Sequence, residues 1–542
     1  MMQMKRHILS ILSLALFMLT LGGCIKNDLP YPVIDLQITS IDIEGTLSAP
    51  VINESAHTVS VELAEQTDIQ NVNIKSVSYT EGATPSQNIV GLQDMRSPVN
   101  VTLSLYQDYL WQITATQHIE REFRVEGQIG TTEWDLESRT ATAYVGFDDL
   151  TNVNVTALKL AAADITTYEW TDGVKQNDFS SVRYVYATCH GRTERWNLYV
   201  KKTDIVVDLV QMDAWAKVMW LYGEGLSGTE LGFKYREAGS EEWITVDDVT
   251  VEGGSFSACI KGLKPQTEYE AVAYSGEDIS AIKKATTESV TPLENGGFED
   301  WSTIKKIVCP YLSEEYAFWG TGNPGAAMVS ATVTDMSDEV RPGSSGKHSA
   351  MLVSTFANMA GIGKFAAGNI FTGKYISTVG TNGIVGFGRK FKSRPVALRV
   401  WVKYNCGAID RIGTQPAGVT LKEGDNDIGS IFISLGDWTK EEYGVDASGE
   451  IKGTDDYPVI IDTRDKGTFF NPKSPAVIAY GEKLMPESVG EWTEITIPLD
   501  YTATNRVPTH IIIVCSSSRY GDYFTGSTQS VMWLDDFELI YE

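Results

Sequence analysis

The sequence predicts an all-β protein built as a string of sandwich domains, on three observations. Helical periodicity is nearly absent after the N-terminal leader, short runs rich in Val, Ile, Thr and Tyr recur between Gly, Asn and Asp turns, and one such pattern is repeated along the chain. At about 150 residues per domain, the 542 residues imply three or four domains rather than one core. With 42% hydrophobic, 21% charged and 10% aromatic residues, the chain has the composition of a folded protein. Its 71 acidic against 44 basic residues leave a net charge of -27, which repels phosphate backbones and argues against a nucleic-acid partner.

The leader comes first. Lys5 and Arg6 precede an apolar run from Ile8 to Leu21 and then Leu21-Gly-Gly-Cys24. The run is too short to span a bilayer comfortably, and small residues stand where a signal peptidase needs a narrow substrate. Leu-Gly-Gly-Cys resembles the lipobox of bacterial lipoproteins. That resemblance implies a signal peptide over 1–23, lipidation of Cys24, and a lipidated tether over 24–35. Acyl chains contribute about 0.8 kcal/mol per buried methylene, so several would hold the protein on a membrane without a transmembrane helix. The same resemblance implies an outer-membrane location, at the cell surface or on the periplasmic face. The other cysteines (Cys189, Cys259, Cys309, Cys406 and Cys515) are scattered singly and form no disulfide framework or zinc spacing.

The repeat fills the next stretch. Ile43-Glu-Gly, Thr58-Val-Ser-Val-Glu-Leu and Asp68-Ile-Gln-Asn-Val-Asn-Ile return about eighty residues on as Val125-Glu-Gly, Thr140-Ala-Thr-Ala-Tyr-Val and Asp149-Leu-Thr-Asn-Val-Asn-Val. Each copy ends on a Trp-bearing strand, around Trp111 and Trp196. These copies, 36–119 and 120–203, resemble the tandem immunoglobulin-like modules of Bacteroides lipoproteins. Over 204–289 the pattern changes, and Leu263-Lys-Pro-Gln-Thr-Glu-Tyr269 resembles the fibronectin type III signature, which implies that Tyr269 braces a corner by bonding to backbone. Without chemical motifs, these three sandwiches read as a spacer.

Residues 290–542 open with Asn295-Gly-Gly-Phe-Glu299 and close with Trp533-Leu-Asp-Asp-Phe-Glu538. This order is similar to the jelly-roll domains of carbohydrate-binding modules. Phe318-Trp-Gly-Thr-Gly-Asn-Pro324, Ala367-Gly-Asn-Ile-Phe-Thr-Gly-Lys-Tyr375 and Phe387-Gly-Arg-Lys-Phe-Lys-Ser-Arg-Pro395 further resemble the putative carbohydrate metabolism domain, PCMD, of Bacteroidetes lipoproteins. The resemblance implies a jelly-roll sandwich and a glycan partner, with no reaction attached. Sugars offer C–H faces to aromatic rings and hydroxyls to polar groups. The expected carbohydrate-binding residues are therefore those in Gly-rich, loop-like sequence: Trp319, Trp438, Arg519, Tyr520, Asp522 and Tyr523. Trp401, Trp492 and Trp533 alternate with apolar residues and are expected in the core. The jelly-roll resemblance also implies a structural calcium held by Glu299 with Asp535 or Asp536.

Several motifs are decoys. Gly320-Thr-Gly-Asn-Pro-Gly fits a dinucleotide fingerprint, but Pro324 and the β-type residues after it predict a turn rather than a helix start. Asp425-Asn-Asp-Ile-Gly has too few ligands for an EF-hand and reads as a hairpin turn. The reading is a membrane-anchored glycan-binding or glycan-handling protein. A glycoside hydrolase is the enzyme alternative, its carboxylate pair drawn from Asp437, Glu441, Asp522 and Asp536, and a protein-binding adhesin is the third.

Overall fold

The structure, a computed structural model, describes residues 34–542 other than 55, 172–175, 360–361 and 417–418. Cys24 and the signal peptide lie outside the described residues. The chain is all-β. Among the described residues no helix is long and apolar enough to cross a membrane.

The two copies of the repeat fold with the same register. In the first, Thr58–Leu63 runs parallel to Asp108–Gln117 with Thr58 opposite Gln112. In the second, Thr140–Val145 runs parallel to Arg192–Lys202 with Thr140 opposite Asn197. Period-2 alternation turns the apolar member of each strand inward, so Val59, Val61 and Leu63 meet Trp111 and Ile113 in one core, and Ala141, Ala143 and Val145 meet Trp196 and Leu198 in the other. Asp68 of the first copy ion-pairs with Arg192 of the second, and this guanidinium bond is the main cause holding the Asp68 carboxyl well below the usual carboxylate range.

The third sandwich packs Val207–Ala214, Met219–Gly225, Ser255–Ile260 and Val249–Glu252 against a sheet built on Leu231–Glu237 and Glu268–Ser275. Tyr269 is buried, and its hydroxyl accepts from the Lys264 backbone N–H at 3.0 Å. This sandwich is fused to the C-terminal domain. Arg394 donates to Glu288 at 2.8 Å and to the Ala214 carbonyl at 3.1 Å. The indole of Trp215 lies 4.3 Å from the Tyr501 ring, centroid to centroid, and donates to the Thr504 carbonyl. The sandwiches are not a straight spacer either: Glu54 of the first returns to ion-pair with Lys466 of the C-terminal domain.

The C-terminal domain is a two-sheet sandwich. Among the described residues the larger sheet has nine strands, ordered Val459–Asp462, Asn382–Phe387, Asn369–Val379, His510–Ser516, Gly429–Gly436, Val477–Met485 and Asp500–Tyr501, with Trp319–Thr321 and Arg389–Lys390 at its side. The smaller has five: Thr334–Ser337, Ser349–Val353, Val531–Ile540, Ala397–Asn405 and Val489–Pro498. Ile431, Ile433, Ile511 and Ile513 of the first sheet face Val400, Val402, Met532 and Leu534 of the second. Cys515 lies fully buried among them, whereas Cys259 is half-buried.

Two sequence expectations are corrected here. The Gly320-to-Gly325 segment does start a helical turn, Asn323–Ala326, because Pro324 stands in its first turn, where no N–H is needed. The next residues form a 3-10 turn, Ala327–Val329, and the strand begins only at Thr334. The tryptophans are also inverted. Trp401 and Trp533 are half-buried on the outer face of the smaller sheet, under Arg341 and Lys403 respectively, because their neighbours Val400, Val402, Met532 and Leu534 take the inner face. Trp492 is likewise half-buried.

The expected calcium ligands do not form a cation cage. Both Glu299 oxygens accept from the Lys347 backbone N–H, and Oε1 also accepts from that of His348. Asp536 Oδ2 takes the Arg341 Nε at 2.6 Å and Asp535 Oδ2 its backbone N–H at 2.9 Å. Asp536 is thus already paired with a guanidinium, and among the described residues no group of three His, Cys, Asp or Glu is placed to hold a metal. The ends are joined by backbone instead: Asp536 adopts a left-handed φ of 45° at a bulge, and the next residue, Phe537, donates to the Gly296 carbonyl at 2.8 Å.

Asp535 is fully buried, its Oδ1 has no partner, and burial, then the Asp536 charge, pushes its carboxyl up to about 6. A carboxyl raised on folding stabilises fully below its unfolded value near 3.8, and that contribution is lost as pH rises through about 6. The expected loss between pH 4 and 7 is on the order of 2 kcal/mol. Thermal melts across that range should show it in the wild type, show a flatter profile in Asp535→Asn, and show no response to calcium or EDTA.

Candidate functional site

The outer face of the nine-stranded sheet, turned away from the sandwich core, carries Phe371, Val385, Val514 and Phe432, and loops arch over it to enclose a cavity of about 750 Å³. The loops come from the hairpin Thr355–Ala366, the turn after Gly322, the segment at Phe469 and Phe470, and the turn from Arg519 to Phe524. A volume of this size suits a small-molecule or oligosaccharide site.

Arg519, Tyr520, Asp522 and Tyr523 all line it. They do so because the strand His510–Ser516 ends at the sheet rim and the chain turns through Gly521–Tyr523, closing with Phe524 at a left-handed φ of 58°. Asp427 fixes the turn from beneath. Its buried carboxylate accepts from the hydroxyls of Ser518 and Ser530 and the N–H of Ser527, and burial, the largest effect, still pushes it up. The sequence places Asp427 only in a hairpin turn. Nothing in Asp425-Asn-Asp marks it, since its partners lie some hundred positions later.

Arg519 Nη1 donates to Glu482 Oε1 at 2.6 Å, so a second carboxylate enters the cavity already balanced. Asp522 differs. It is exposed at the cavity, and the protein crowded around its carboxyl pushes it up to about 6. The same cause pushes the Tyr523 hydroxyl up to about 12 and lowers Lys364, whose ammonium lies 3.7 Å from the Phe524 ring centroid. Two raised acids, Asp522 and Tyr523, thus stand among the residues lining the cavity. At the rim, Lys466 lies 5.8 Å from the Tyr523 centroid and carries the contact from Glu54.

Trp319 and Trp438 do not belong to this site. Trp319 is 0% exposed, donates to the Glu294 carbonyl at 2.9 Å, and packs against Phe298, Phe318 and Phe537. Trp438 is 3% exposed and lies behind Phe470, edge-on to it at 6.1 Å. Each fills a gap beside the sheet that a smaller residue would leave open. Of the other carboxylates considered from the sequence, Asp437 pairs with Arg506 and Asp536 with Arg341, and Glu441 is exposed outside the cavity. Among the lining aromatics missed, Phe469 and Phe470 were the legible ones, since their setting, Lys466-Gly-Thr-Phe-Phe-Asn-Pro472, carries the same loop signal as Tyr520 and Tyr523.

Residues 297–540 match the family model described as "Putative carbohydrate metabolism domain", PCMD. No curated protein matches the chain. Among solved structures, the chain is similar to a "putative glycoside hydrolase" from Bacteroides thetaiotaomicron at 16% identity, over 94% of this chain and 98% of that one, with a TM-score of 0.30. A second "putative glycoside hydrolase", from Bacteroides vulgatus, is 18% identical over 46% of this chain and 98% of its own, with a TM-score of 0.33. The FN1–FN3 domains of chicken CNTN1 are 13% identical over 54% and 98%, with a TM-score of 0.14. Residues 297–540 of this chain, the part that contains the cavity, are a PCMD domain.

Proposed function

We propose that the protein is a lipid-anchored outer-membrane protein whose PCMD domain takes carbohydrate into the cavity beneath the Arg519–Phe524 turn. One observation carries the reading: Arg519, Tyr520, Asp522 and Tyr523 meet Glu482 in one cavity of a domain whose family is carbohydrate-associated. Aromatic faces and planar charged groups are the partners that sugar C–H faces and hydroxyls require. Cys24 supplies the anchor, and the three sandwiches carry the tether to the domain. Cys24→Ala should move the protein from the membrane to the soluble fraction, and an unmodified N-terminus upstream of Cys24 in mass spectrometry would contradict the anchor.

Asp522 favours a second reading, glycoside hydrolysis. A carboxyl with a value of about 6 is still partly protonated near neutral pH and is suited to protonating a leaving oxygen, with Glu482 as the second carboxylate. A glycan panel with reducing-sugar release assayed in parallel separates the readings. Release lost in Asp522→Asn supports hydrolysis, retention alone supports binding, and silence in both points to adhesion and against the proposal.

A further inference from the structure

The sheet under the cavity changes polarity along its strands. Register sets Asn369, Ser516 and Ser430 side by side. Two residues along each strand, the next row is Phe371, Val514 and Phe432, with Glu482 at its end. Both flanking phenylalanines are extended upward into the cavity wall: Phe387 packs on Phe371 at 5.0 Å, and Phe470 stacks on Phe432 at 4.9 Å with the rings 20° apart. The turn that carries Asp522 stands over the polar end, with Gly521 against Ala367 and Ser516, while the Arg519 guanidinium reaches across to Glu482.

A free oligosaccharide does not explain this gradient. A sugar can lay one C–H face on a ring, but a chain of sugars filling the whole phenylalanine row would also bury rim hydroxyls that forfeit their bonds to water with no protein partner in return. An apolar group loses nothing there. We infer that the cavity takes a glycoside with an apolar aglycone, the sugar held at the Asn369, Ser516 and Asp522 end and the acyl, alkyl or aryl group laid over Phe371 and Val514, beside the stacked Phe432 and Phe470. The inference rests on the carbohydrate reading above and narrows its substrate class.

The test uses the full chain and matched n-octyl and methyl β-glycosides of glucose, galactose and mannose, titrated below the micelle concentration, with 1-octanol alone as a third probe. For at least one sugar the octyl glycoside should bind tenfold or more tighter than the methyl glycoside and than octanol. Val514→Trp, which fills the apolar row, should abolish that preference. If Val514→Trp does not fold, Met328→Trp, on the exposed turn at the cavity edge, should reduce it. Octyl and methyl glycosides binding alike, while free glycans from the panel bind well, would overturn the aglycone inference and leave the carbohydrate reading standing. Octanol binding as tightly as every octyl glycoside would overturn it as well, since no sugar would then be selected. Silence from all glycosides and from the whole panel would overturn both.

Discussion

Arg394→Ala is expected to destabilise the C-terminal half of the protein by about 3–5 kcal/mol and to uncouple the third sandwich from the PCMD domain. The side chain is 6% exposed and satisfies three acceptors at once, in Glu288, Thr504 and Ala214, under the Trp215 ring. Burial already pushes the Glu288 carboxyl up, and the guanidinium, helped by the Arg394 backbone N–H, opposes this. Removing it leaves a half-buried carboxylate with only a backbone N–H as partner, which is worse than removing both partners. Calorimetry should show one coupled transition for 204–542 in the wild type and two separated transitions in the variant. Unchanged transitions would mean that the junction holds no energy.

Trp319→Ala should have the second large effect, about 3–5 kcal/mol, from the cavity it leaves between Phe298, Phe318 and Phe537. The indole also leaves the Glu294 carbonyl without its donor. Glycan affinity, measured well below the lowered midpoint, should stay at the wild-type level because the ring does not reach the cavity. A stable variant that has lost binding would return Trp319 to the site.

The two tryptophan expectations fail for one physical reason. Loop-like sequence suggests solvent, but Trp319–Thr321 forms a short strand on the side of the large sheet, where only a large ring fills the corner. The opposite error concerns Trp401, where Val400 and Val402 on either side already state by period 2 that it faces outward. The repeat is legible down to register, since identical strand types pair alike at Thr58 and Thr140. The turn holding Arg519, Tyr520, Asp522 and Tyr523 is visible from its composition. Its walls are not: Glu482 and Phe432 alternate with core residues like any strand residue, and only long-range pairing brings them under that turn. The same limit hides Asp427, and it hides the contacts that Arg341 makes to Asp535 and Asp536 across nearly two hundred positions.

Calorimetric titration of the best glycan from the panel into wild type, Arg519→Ala, Tyr520→Ala and Trp438→Phe tests the central claim most directly. The account predicts at least a tenfold loss in the first two variants and unchanged affinity in Trp438→Phe. Wild-type affinity in Arg519→Ala and Tyr520→Ala, with loss in Trp438→Phe, would contradict it.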